Sequence, residues 1–255
     1  MAARSDRILA GCPLPAWCTV PGQRIITLLQ RGLTSMLETL TLGPLQTNCY
    51  VYADAGEAMV VDAAADADVI LAAAGRLGAR IRLIVCTHAH FDHIGALDAL
   101  ARETAAPVYV HSEDIPLLAA GGLLPANLTE DDLPGDLPSW FVPPPSLSAT
   151  PIAITDGQHL PVGRADFEVL HTPGHTPGSC CLYCPEQAIL FSGDTLFRLG
   201  VGRADLPGGD SHALLRSIKR RLFTLPDATV VYPGHGPSTS IGLEKRRNPF
   251  VRASV

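Results

Sequence analysis

Regular alternation of apolar and polar positions begins at Leu37–Leu42 (LETLTL), and from there the chain reads as short strands closed by turn residues. The runs Asn48–Ala53 and Glu57–Asp62, separated by Asp54, Ala55 and Gly56, predict an antiparallel hairpin. The Ala-rich stretch Asp66–Leu77 has aspartates in its first turn and Gly78 just past its end, which predicts a helix. A strand over Ile81–Thr87 then leads into a His-rich loop, followed by a helix over Ile94–Glu103 and a strand over Pro107–His111. The proline-studded segment Ala119–Thr150 shows no period and reads as an inserted loop. Strands resume at Pro151–Thr155, Ala165–Thr172, Cys180–Cys184 and Gln187–Ser192, before a helix over Ser211–Phe223 and a strand over Ala228–Pro233. Two runs of strands, each finishing with helix, predict two sheets packed face to face with helices outside. Residues 1–35 lack any such period and carry scattered prolines. They are expected to form a mobile leader, dispensable for fold and catalysis, ahead of one domain over 36–255.

At 255 residues, 47% hydrophobic and 17% charged, the chain has ample apolar material for one large core. A net charge of −6, with Lys219 and Lys245 the only lysines, gives no broad basic surface and argues against nucleic acid as a partner. No apolar stretch approaches the roughly 20 residues of a membrane span. Several cysteines sit inside apolar runs, as Cys86, Cys180 and Cys181 do, so buried free thiols in a reducing cytoplasm are the expectation. Cys181 and Cys184 form a C-x-x-C, but on an extended strand their side chains point to opposite faces and do not chelate.

The chemistry concentrates in Thr87–Ala96 (THAHFDHIGA), where His88, His90, Asp92 and His93 form H-x-H-x-D-H directly after a strand of buried type. Two histidines two residues apart project to one side while Asp92 and His93 turn toward another, a spacing that suits adjacent divalent metals. Imidazole and carboxylate together suit zinc, with iron or manganese also accommodated. Three later segments each put a further ligand candidate after a strand: His171–Ser179 with His175, Ser192–Phe197 with Asp194, and Tyr232–Ser240 with His235. Singly each is weak; a Gly-Asp-Thr turn or a lone His is ordinarily structural. His111, His159, His171 and His212 receive that structural reading.

In the order of these motifs, from about Met36 to Phe250, the chain resembles the metallo-β-lactamase superfamily, and within it the compact glyoxalase II-like (hydroxyacylglutathione hydrolase-like) enzymes. The resemblance implies an αββα four-layer sandwich. It also implies one metal held by His88, His90 and His175, a second by Asp92, His93 and His235, and Asp194 bridging both. Asp92 and Asp194 would then be catalytic, with a small-molecule thioester as substrate. A leaving thiolate of pKa about 8.5 needs no dedicated general acid, whereas an amine does. Lactone or other ester cleavage is second to this. A mononuclear-iron persulfide dioxygenase is the main rival, through the similar Gly202–Asp205 and Asn248–Pro249 motifs, although those enzymes tend to read HADHxTG where this chain reads HFDHIGA. A metal-binding scaffold without activity would typically have lost ligands.

Two departures from the family stand out. Full glyoxalase II enzymes carry a C-terminal helical domain that helps bind glutathione, for which the 20 residues after His235 are expected to leave no room, and Ala63 and Ala64 follow Asp62 where the family usually has Pro-Gly, a change expected to alter a turn only. Arg203, Lys245, and the aromatics Trp140 and Phe141 of the inserted loop are the candidate substrate contacts.

Overall fold

The computed structural model describes residues 24–30, 33–122 and 147–252. The first sheet has seven strands in chain order: β1 (Arg24–Gln30), β2 (Leu33–Leu42), β3 (Thr47–Asp54), β4 (Glu57–Val61), β5 (Arg80–Val85), β6 (Val108–His111) and β7 (Ile152–Ile154). It begins antiparallel and turns parallel at β4, because helix α1 (Ala67–Arg76) carries the chain back between β4 and β5. The helices α2 (Phe91–Ile94) and α3 (Leu97–Thr104) then connect β5 to β6, and α4 (Ile115–Ala119) follows β6. The second sheet takes β8 (His159–Val162), β9 (Ala165–His171), β10 (Cys180–Cys184) and β11 (Ile189–Gly193), with β12 (Leu196–Phe197) and β13 (Gly200–Val201) forming a small hairpin beside it. After α5 (Ser211–Ser217), β14 (Val230–Pro233) and β15 (Thr239–Ser240) complete it in the order β15-β14-β11-β10-β9-β8, before α6 (Ile241–Arg247) and α7 (Pro249–Arg252).

Period-two alternation in strands that are buried on both faces divides their side chains between layers. On β3, Cys49, Val51 and Ala53 pack toward α1, α3 and α4, whereas Tyr50 and Tyr52 join Phe167, Leu182 and Phe191 between the sheets. On β10, Cys180 and Cys184 belong to that inter-sheet core, while Cys181 and Tyr183 face α5 with Leu214 and Ile218. The result is helix, sheet, sheet, helix, the four layers expected. Cys181 and Cys184 lie in different layers, and the cysteines among the described residues are free and buried.

Four expectations are corrected. Arg24–Gln30, assigned to the leader, is a strand paired with β2 in register from Arg24↔Thr39 to Gln30↔Leu33, so the antiparallel ladder satisfies backbone groups that period alone did not reveal. Residues 1–23 and the bulk of the inserted loop, including Trp140 and Phe141, lie outside the described residues. The helix drawn over Ile94–Glu103 is two helices, because Gly95 packs on Ala64, where a Cβ would stand 2.3 Å from the carbonyl oxygen, and the Ala96 N–H is held by Ala63 O at 2.9 Å. The helix over Ser211–Phe223 changes after Ser217 to a π turn over Ile218–Leu222, closed by Phe223 N–H to Ile218 O. His159 opens β8 and pairs with Asp166 at 2.7 Å rather than standing in a turn.

Candidate metal centre

Every candidate ligand leaves the end of a strand. His88, His90, Asp92 and His93 follow β5, His175 lies in the loop after β9, Asp194 follows β11 and His235 follows β14. Two hydrogen bonds between the sheets hold these ends together, Cys180 N–H to Thr87 O at 2.8 Å and Asn48 N–H to Gly234 O at 2.7 Å, and within the second sheet Gly234 N–H donates to Gly193 O at 2.8 Å. Tyr50 Oη donates to Pro233 O at 2.7 Å and fastens β14 from below.

The side chains converge as two groups about one carboxylate. His88, His90 and His175 offer ring nitrogens, with His90 Nδ1 2.8 Å and His88 Nε2 3.2 Å from His175 Nε2. Asp92, His93 and His235 form the second group, with Asp92 Oδ2 3.2 Å from His235 Nε2 and 3.5 Å from His93 Nε2. Asp194 stands between them: its Oδ2 is 3.6 Å from both His175 Nε2 and His235 Nε2, and its Oδ1 is 3.5 Å from His93 Nε2. The close approach depends on Gly234, where a Cβ would stand 2.1 Å from Asp194 Oδ1 and 2.8 Å from His93 Cε1.

Electrostatics test whether cations fit. His93 Nε2 and Asp194 Oδ1 are buried without a hydrogen-bond partner, an expensive arrangement unless something positive satisfies them. Burial, aided by the neighbouring imidazoles, holds His88 well below the usual imidazole range and takes His90 to about 3, so both present neutral nitrogen. Burial opposes charge on His93 too, but Asp92, Asp62 and Asp194 outweigh it and lift that imidazole to about 10. Burial likewise disfavours the Asp92 carboxylate, yet His93, His235 and Thr47 hold its pKa well below the usual carboxylate range. Neutral imidazoles in the first group, and in the second an ionised Asp92 beside a His93 proton that a cation would displace, fit divalent cations, which would also satisfy the orphaned His93 Nε2 and Asp194 Oδ1.

A second ring of residues, which the sequence reading missed, orients the ligands. Asp62 Oδ2 accepts from His93 Nδ1 at 2.9 Å and from Thr87 Oγ1 at 2.8 Å, while Oδ1 accepts from Thr87 N–H at 2.7 Å. Thr87 Oγ1 lies 3.1 Å from His88 Nδ1, and Thr47 Oγ1 donates to Asp92 Oδ2 at 2.7 Å. Asp114, fully buried, accepts from Ala89 N–H, Thr176 Oγ1 and Gly178 N–H, which pins the loops of both ligand runs to one anchor. His175 Nδ1 is bound by the Arg203 carbonyl at 2.7 Å. Such outer hydrogen bonds fix ring orientation and tautomer. The available signal was position: Asp62 immediately follows β4 and Asp114 lies just beyond β6, each aspartate close behind an apolar strand.

The remaining candidates divide. The Arg203 guanidinium pairs with Asp205 through two 2.9 Å bonds, both side chains exposed, so its internal ion pair is formed and its main-chain oxygen serves the site. Lys245 is not brought to the cluster; its ammonium is held by Leu225 O at 3.0 Å and Asp227 at 2.8 Å, which corrects its reading as a substrate contact. His111 and His171 stack at 4.0 Å, and His212 is exposed at the start of α5. Among the described residues no helix is long and apolar enough to cross a membrane.

The model of the metallo-beta-lactamase superfamily matches residues 42–235. The chain is 35% identical to the probable metallo-hydrolase YqgX of Bacillus subtilis, over 83% of this chain and 95% of that protein. It is 32% identical to the hydroxyacylglutathione hydrolase GloC of Haemophilus influenzae, over 85% and 98%. Among solved structures, the BLEG-1 B3 metallo-beta-lactamase matches with TM-score 0.75 and 39% identity, over 85% of this chain and 99% of that one. TTHA1623 in a di-iron-bound form matches with TM-score 0.72 and 42% identity, over 83% and 98%. ETHE1 from Myxococcus xanthus matches with TM-score 0.67 and 30% identity, over 85% and 84%.

Proposed function

The chain belongs to the metallo-β-lactamase superfamily, and from that premise we propose that it is a binuclear metal-dependent hydrolase of small-molecule thioesters, similar to the hydroxyacylglutathione hydrolases. The observation that carries the reading is the pair of ligand groups about Asp194, whose Oδ2 is equidistant, at 3.6 Å, from His175 and His235. A single-metal site would need only one such group. His88, His90 and His175 would hold one cation and Asp92, His93 and His235 the other, with Asp194 shared. Bound divalent cations supply a water of lowered pKa as nucleophile and polarise the substrate carbonyl.

The protein's own share is positioning. Asp92, held by Thr47, presents an ionised carboxylate that would orient the attacking water. Asp62, Thr87 and the Arg203 carbonyl lock the imidazoles that face the reacting centre. Among the described residues no side chain beyond the candidate ligands stands in the cluster to serve as a general acid, and a thiolate leaving group requires none. We place the enzyme in the cytoplasm, where free thiols such as its buried cysteines persist.

The test is metal analysis of protein purified without added metal, beside a thioester screen with chelator controls. Two metals per chain and chelator-sensitive hydrolysis are expected, and Asp194→Ala should lower the occupancy of both sites. One iron per chain, with thiol-dependent oxygen uptake and no hydrolysis, would replace this reading with the persulfide dioxygenase that the ETHE1 likeness keeps in view.

A further inference from the structure

Beside the candidate centre, a cleft of about 210 Å³ opens between the turn after β2, the loop after β4 and the start of α2. Its lining is mixed. Thr47, Asp66 and Asp92 are its polar residues, and Asp92 also belongs to the candidate centre, where its Oδ2 lies 3.2 Å from His235 Nε2. Pro44, Leu45, Ala65 and Phe91 supply its apolar side chains. Leu45 is 41% exposed there, a large apolar side chain left uncovered at the cleft's rim. The two loops meet here through small residues: Gly43 turns at φ +69°, a backbone that favours glycine, and lies against Ala65.

We propose that this cleft receives the acyl chain of the thioester, and that Ala65 and Leu45 set its preference for a short apolar acyl group. The inference rests on the thioesterase reading and adds the substrate's acyl class. An acyl group whose carbonyl lies near Asp92 can bury its alkyl chain against Pro44, Leu45, Ala65 and Phe91, the apolar residues that share this cleft with Asp92. An apolar cavity of about 150 Å³ accepts benzene, so this volume suits a chain of roughly six carbons. Methylenes beyond that length would lie in solvent and gain nothing.

The experiment is a series of acyl thioesters sharing one thiol, from acetyl to dodecanoyl, on the metal-loaded wild type and on Ala65→Phe and Leu45→Ser. For the wild type, kcat/KM should rise about threefold per methylene up to hexanoyl and then level. Ala65→Phe fills the cleft and should cost roughly tenfold or more in kcat/KM with hexanoyl, a larger loss than with acetyl. Hexanoate binding followed by calorimetry should weaken in parallel, with metal content unchanged. Leu45→Ser, at an exposed turn that does not carry the fold, should flatten the chain-length rise if Ala65→Phe proves unstable. A flat wild-type profile, or equal losses at every chain length, would overturn the pocket assignment and leave thioester hydrolysis standing. Failure to cleave any thioester in the series, by fully metallated protein, would overturn the reaction itself and this inference with it.

Discussion

Replacing Asp62 with asparagine isolates the contribution of a residue that touches no metal in the proposed centre. The carboxylate is buried and accepts from Thr87 N–H, Thr87 Oγ1 and His93 Nδ1 at 2.7, 2.8 and 2.9 Å. An asparagine of the same shape has two orientations. With its amide NH₂ facing Thr87 N–H, two buried donors would oppose each other at contact distance, at a cost of about 1–3 kcal/mol. With its oxygen there instead, the NH₂ must donate toward Thr87 Oγ1 and His93 Nδ1. Thr87 Oγ1 can rotate to accept, so this orientation wins. A neutral His93 accepting at Nδ1 carries its proton on Nε2, the atom that faces Asp92 and Asp194. The expected loss in affinity for the second metal is therefore about 10–100-fold, the range typical of outer-shell partners. The metal-free protein should lose on the order of 1–3 kcal/mol from the weakened Thr87 contacts, at roughly 2–4 °C of Tm per kcal/mol for a domain of this size. Competition with a chromophoric chelator measures the first quantity and thermal melting of chelated protein the second. Asparagine also tolerates the left-handed backbone at this position, φ +57°, so strain does not confound the comparison. Metal affinity within about twofold of wild type would refute the tautomer argument.

Gly234→Ala places a methyl 2.1 Å from Asp194 Oδ1, so the shared carboxylate must move and activity should fall by about 100-fold, read as kcat together with metal stoichiometry. Metal uptake should depend on pH with a definite sign. The metal-free chain holds a proton on His93 up to about pH 10, a cation must displace it, and affinity should strengthen by about tenfold per unit from pH 7 to 9 with proton release seen as buffer-dependent heat. A flat affinity over that range would show that His93 does not gate the second site. Lys245→Ala should leave kcat and KM within about twofold, because its ammonium is engaged by Leu225 and Asp227 rather than by the cluster; a large rise in KM would return it to the substrate site.

Period and punctuation along the chain were enough to draw most of the strands, since alternation reports which face a strand buries and Gly, Pro and Asp report where it ends. The ligand candidates were legible for a similar reason. His88, His90, Asp92 and His93 are local, dense in one loop, and His175, Asp194 and His235 each follow an apolar run. What period could not register was pairing that depends on a partner. β1 is a strand because β2 offers it a ladder, β12, β13 and β15 are too short to show alternation, and the break at Gly95 exists because the Ala64 carbonyl approaches from another loop.

The same distinction runs through the site. The residue types and their order in the chain determine that a metal-binding cluster of imidazoles and carboxylates is available. Only the tertiary structure decides that Asp194 is equidistant from two ligand groups, that Asp62 and Asp114 hold those groups in place, and that Lys245 is turned away to Asp227. These are contacts between segments tens of residues or more apart, 31 positions for Asp62 and His93 and 64 for Asp114 and Gly178. Local preference carries no information about such distances, because it is the packing of the two sheets that brings their strand ends to a single point.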